Sequence, residues 1–180
     1  GTDWTPSGSI NVLRELACAD YLNNTHFGSW FGDWQLWEMA TAGGARATAV
    51  DDATGSLEVG LAGDIAIFDG RGLPSRPFRA LLDATPSEVH LVLRGGDVLY
   101  GDSPLVEALT EGSGCEELPG GVCGNARMAC LDSELGVNYS TLAQANSEAY
   151  DLFFCETPED EPSCVPFRLG EYEEVDVDDV

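Results

Sequence analysis

Six cysteines constrain this chain more than any other feature of its sequence. They stand at positions 18, 115, 123, 130, 155 and 164, so all but Cys18 lie beyond residue 110. No two share Cys-x-x-Cys spacing, which argues against a structural zinc site and for disulfides formed in an oxidising compartment. Cys115 and Cys123 bracket Glu-Glu-Leu-Pro-Gly-Gly-Val; Cys155 and Cys164 bracket Glu-Thr-Pro-Glu-Asp-Glu-Pro-Ser. Both intervals contain Pro and close short loops, so Cys115–Cys123 and Cys155–Cys164 are the expected pairs. Cys18 and Cys130 then tie the Cys-rich segment back to the first helix, or Cys18 stays a buried thiol.

The charge balance removes whole classes of partner. Among 180 residues, 8 cations, all Arg, face 32 acids, a net charge of −24. Such a chain lacks the basic face that displaces counterions from nucleic acid, and anionic membrane surfaces are disfavoured for the same reason. No apolar run approaches the roughly 18–20 residues of a membrane-spanning helix. With 43% hydrophobic residues the chain can still build a core. The start at Gly1, with neither initiator Met nor signal peptide, suggests a processed or truncated product, and with the cysteines it gives export (periplasmic, cell-surface or secreted) as the expectation.

Periodicity gives a mixed α/β chain. Apolar residues at 10, 13, 16, 17 and 21 form one face of a first helix. Asp33 is placed to cap a second, carrying Trp34, Leu36, Trp37 and Met39, with a break at Gly43-Gly44. Trp30, Trp34 and Trp37 are expected in the core. Beyond Asp51 the pattern turns to strands: Ser56–Val59, an Ile65–Phe68 strand buried on both faces, then Val89–Leu93 and Val98–Tyr100 flanking a hairpin turn at Arg94-Gly95-Gly96-Asp97. Short helices are expected at Phe78–Leu82, Pro104–Leu109 and Ser140–Tyr150. The reading divides the chain into 1–50, 51–109, a Cys-rich 110–170, and an acidic tail at 171–180.

Three segments taken together resemble the metal-dependent amidohydrolase superfamily. The first is Gly1-Thr2-Asp3-Trp4-Thr5-Pro6-Ser7-Gly8-Ser9-Ile10-Asn11 leading to Leu13-Arg14-Glu15-Leu16, similar to the end of that family's eighth barrel strand. The second is Trp37-Glu38-Met39-Ala40-Thr41 followed by Gly44-Ala45-Arg46-Ala47, similar to the helix pair after the barrel. The third is Gly55-Ser56-Leu57-Glu58-Val59-Gly60, then Asp64-Ile65-Ala66-Ile67-Phe68 and the hairpin through Tyr100, similar to the small composite β-sandwich. Gly63 and Gly43-Gly44 depart from the usual pattern, and 110–180 has no counterpart in most of the family. The resemblance implies a fold made of the last strand and helices of a TIM-like barrel plus part of the sandwich, with a disulfide-rich extension. The whole barrel takes roughly 250 residues. The family's His-x-His pair, Lys or further acid, and two other His are not here, since the chain has only His26 and His90 and no Lys. The resemblance therefore implies the C-terminal piece of a hydrolase of amide, imide or ring C–N bonds, working with the remainder of the parent barrel on a small-molecule substrate. Its cofactor would be a divalent metal, zinc by expectation, held by the intact enzyme and not tightly by this chain alone.

Asp3 is the residue this resemblance places at the metal and at the proton transfers of hydrolysis; apart from it, Asp3 reads as a turn residue before Pro6. Trp4, Ser7 and His26 are weaker candidates for lining the substrate pocket, against the simpler roles of core packing, helix capping and loop packing. His90 lies in a strand and is not expected to act. No Gly-x-Ser-x-Gly elbow or phosphate loop is present. The reading from a different class is an acidic, disulfide-stapled extracellular binding or structural module without enzymatic activity.

Overall fold

The computed structural model describes residues 8–147, 151–158 and 161–165. Asp3, Trp4, Ser7, the strand end expected before Pro6 and the acidic tail at 171–180 lie outside the described residues. Within them the chain is mixed α/β. Three helices come first, α1 (Val12–Thr25), α2 (Asp33–Met39) and α3 (Ala42–Thr48). Asn11 caps α1, its Oδ1 accepting the Arg14 N–H at 3.1 Å. Then follow β1 (Ile65–Phe68), α4 (Pro77–Leu82), β2 (Val89–Arg94), β3 (Asp97–Asp102) and α5 (Ser103–Thr110). The Cys-rich part adds β4 (Glu116–Glu117), β5 (Arg127–Ala129), α6 (Asp132–Leu135) and α7 (Tyr139–Asn146).

The strands make one open antiparallel sheet in the order β1-β2-β3-β5-β4. The β2–β3 hairpin turns on Gly95 and Gly96, whose φ values of 61° and 96° are costly for any residue with a Cβ. Register then divides the side chains between two faces. Leu91 lies opposite Gly101, and Gly101 opposite Met128; Val92 lies opposite Tyr100, and Tyr100 opposite Ala129. The first face packs Leu91, Met128 and Cys130 under Val106 of α5, a fully buried side chain. Gly101 permits that approach, because a Cβ there would lie 2.7 Å from the His90 carbonyl oxygen and 3.2 Å from Val106 Cγ2. The second face packs Tyr100, Ala129, Leu118 and Val122, with Tyr139 and Phe153 against them. A separate helical cluster joins Leu16, Leu36 and Leu82.

Several expectations need correction. Ser56–Val59 is not a strand; Leu57 is 78% exposed and Val59 fully exposed, with no partner strand to pair them. β1 is an edge strand, with Ile67 45% exposed, so its apolar run does not mark burial on both faces. Gly43 and Gly44 lie inside α3 and do not break a helix; the break falls at Thr41. Gly43 serves close packing instead, since a Cβ there would come within 2.8 Å of the Glu38 carbonyl oxygen. Trp30 and Trp34 are 79% and 50% exposed, while Trp37 meets the Phe78 ring at 5.0 Å.

The cysteines all pair, but as Cys18–Cys164, Cys115–Cys130 and Cys123–Cys155, none of which is an expected pair. Sheet register overrides nearness in sequence. Glu116 lies opposite Ala129, so Cys115 and Cys130 are the next opposed positions on the same two strands.

Candidate functional site

Of the residues singled out from sequence, Asp3, Trp4 and Ser7 lie outside the described residues, and His26 can be placed. It follows the last turn of α1, is exposed, and meets Phe27 edge-on at 4.9 Å. The loop beyond it is held firmly. Asn23 is 3% exposed, and its side chain donates to the Phe31 carbonyl at 2.8 Å while accepting the Phe31 N–H at 2.9 Å. That clamp fixes a stretch from His26 to Trp34 in which Phe27, Trp30 and Trp34 present apolar rings to solvent. Large exposed rings on a pinned loop are a surface suited to being covered.

Among the described residues no three His, Cys, Asp or Glu side chains converge as a metal site. Every cysteine sulfur is committed to a disulfide, and a disulfide is no thiolate ligand. The described residues therefore form no metal centre by themselves, and no chemical step is assigned to a metal here.

A polar cluster that sequence reading missed crosses three strands. His90 Nδ1 and Asp102 Oδ2 share a 2.5 Å hydrogen bond, and Asp102 Oδ1 forms an ion pair with Arg127. Arg127 is 2% exposed and donates through Nη2 to the Ser87 carbonyl at 2.8 Å. A register shift between Val92 and Leu93 brings His90 into line with Asp102, and Asp102 lies opposite Arg127. The hairpin turn is visible in the sequence, but this shift has no sequence signal. Burial pushes the Tyr100 phenol up, and the nearby Arg127 acts in the opposite direction. A carboxylate on Nδ1 orients the ring as in a general base, yet the hydroxyl next in sequence to Asp102, that of Ser103, is buried and donates to Glu117 Oε2 at 3.1 Å. The cluster is a tie between β2, β3 and β5.

Under the second sheet face lies a cavity of about 750 Å³. Its walls come from the start of α1, the strands, α7 and residues 151–154, with Tyr100, Tyr139, Leu142 and Phe153 among them. Phe153 stacks on Tyr100 at 5.4 Å and tilts against Tyr139 at 6.2 Å.

Comparison with known proteins leaves function to these features: no family model matches the sequence, and no curated protein or solved structure is significantly similar to it.

Proposed function

We propose that this chain is the C-terminal part of an amidohydrolase-type hydrolase acting on amide, imide or ring C–N bonds of small molecules, and that the parent protein is exported. In this reading 1–50 ends the barrel, 51–109 belongs to the composite β-sandwich, and the Cys-rich part is an addition suited to an oxidising environment. The observation that carries the reading is the exposed aromatic stretch clamped by Asn23, with Trp30 at 79% and Phe27 at 55% exposure. A chain that spends a buried Asn to hold apolar rings in solvent is presenting them to something, and the rest of a barrel is the covering that the sequence resemblance supplies. Three disulfides accord with export.

Asp3 is the proposed catalytic group. A carboxylate at the end of a barrel strand faces substrate, can take a proton from the attacking water, and can return it to the leaving nitrogen. Among the described residues no group of three His, Cys, Asp or Glu could hold a metal alone, so a metal centre would need ligands beyond them. In the parent protein Asp3→Asn keeps the side-chain volume and removes the base. Turnover should fall by about 10²–10⁴-fold with an unchanged circular dichroism spectrum; near-normal turnover would return Asp3 to the role of a turn residue.

A second reading, a disulfide-stapled binding module, is favoured by one observation, the cavity lined on one side by residues 151–154.

A further inference from the structure

We propose that the cavity between the start of α1, the second sheet face and residues 151–154 binds one uncharged, largely hydrocarbon small molecule. The inference is independent of the hydrolase reading. Its first support is size: about 750 Å³ falls within the roughly 300–1,000 Å³ of pockets that enclose small ligands.

The second support is chemistry. Val92, Leu99, Leu131, Leu142 and Phe153 supply apolar wall, and Tyr100 lines the cavity with them. No Arg or His is among the lining residues, and the charged side chain there is Asp151. An anionic ligand would find no counter-charge, would face Asp151, and would approach a chain of net charge −24.

The third support is that the wall is built to stay in place. Residues 151–154 are followed at once by Cys155, bound to Cys123 beside the sheet, and then by Cys164, bound to Cys18 of α1. Between the two disulfides, Arg14 of α1 pairs with Glu161 through Nε at 2.6 Å and donates to the Thr157 hydroxyl at 2.9 Å. Covalent ties on both the sheet side and the helix side hold these walls apart, so the apolar cleft is preformed for a ligand.

The test uses the disulfide-intact chain and a neutral fluorescent probe, N-phenyl-1-naphthylamine. One saturable site per chain is expected. Leu142→Trp, which fills the cavity from α7, should weaken uptake by at least about tenfold, while Trp30→Ser, on the exposed loop, should leave it unchanged. The sulfonated probe 8-anilinonaphthalene-1-sulfonate should bind at least about tenfold more weakly than the neutral one. Because Leu142→Trp could disturb folding, probe-induced shifts of the Tyr100, Tyr139 and Phe153 ring signals in the unsubstituted chain give an independent reading. Absence of saturable uptake, uptake abolished by Trp30→Ser, equal binding of the anionic probe, or ring signals that do not move would each overturn the proposal.

Discussion

Arg79 joins three helices through one guanidinium. From α4 it donates to Asp20 of α1 at 2.7 and 2.9 Å, to Asp33 of α2 through Nε at 3.2 Å and again through Nη2, and to Asp83 at 3.2 Å. Its side chain is 16% exposed, so these contacts are only partly screened. Arg79→Met keeps the stem, takes the guanidinium from Asp20 and leaves Asp33 with the more exposed Arg76 at 3.5 Å. Unfolding in urea should show a loss of about 2 kcal/mol, below the ~3–5 of a fully buried pair. Hydrogen bonds from Arg79 are the main cause holding Asp20 and Asp33 below the ordinary carboxylate value of 3.8. Carboxyls depressed in the folded state add stability above their unfolded value and lose it as pH falls through the folded one. Stability should therefore drop steeply below about pH 4, and Asp20→Asn with Asp33→Asn should flatten that drop. An equally steep acid slope in the double variant would contradict this account of Arg79.

Elements with a local cause were legible from sequence, and those decided at a distance were not. The hairpin needed only Gly95-Gly96 between apolar runs, and α1 followed from periodicity, though its cap is Asn11 and not Ser7 or Ser9. Ile65–Phe68 showed its strand character but not its edge position, which depends on which strands pair elsewhere. Ser56–Val59 had strand composition without a neighbour to pair with. The Cys115–Cys130 disulfide depended on where β4 and β5 pair, a fact that loop length does not carry. His90, Asp102 and Arg127 come together only through a register shift and a strand inserted between β3 and β4. The pairing can be tested at one bond. Cys18–Cys164 spans 146 residues, and closing a loop of that size removes about 4–5 kcal/mol of chain entropy from the unfolded state. Replacing both by Ala should lower the melting temperature and make the segment around Cys164 sensitive to limited proteolysis. Recovery of a Cys155–Cys164 peptide from the native protein under non-reducing conditions would refute the pairing.

At the scale of the molecule, the Cys-rich part and the preceding strands share one sheet, because β5 pairs with β3. Among the described residues no helix is long and apolar enough to cross a membrane. Exposed apolar side chains include Phe27, Trp30 and Trp34 in the His26–Trp34 stretch, alongside others such as Leu57, Val59 and Leu109. If a parent barrel covers that stretch, acrylamide should quench Trp30 and Trp34 fluorescence in the 180-residue chain far more than in the full-length parent. Equal quenching in both would remove the observation on which the hydrolase reading leans. The most direct measurement is zinc content after dialysis, combined with turnover on a panel of amides and cyclic imides, for the 180-residue chain and the parent side by side. The account predicts hydrolysis and retained metal in the parent, with neither in the chain alone, because one carboxylate cannot replace a converging ligand set. One equivalent of zinc retained by the chain alone, with measurable turnover, would contradict it.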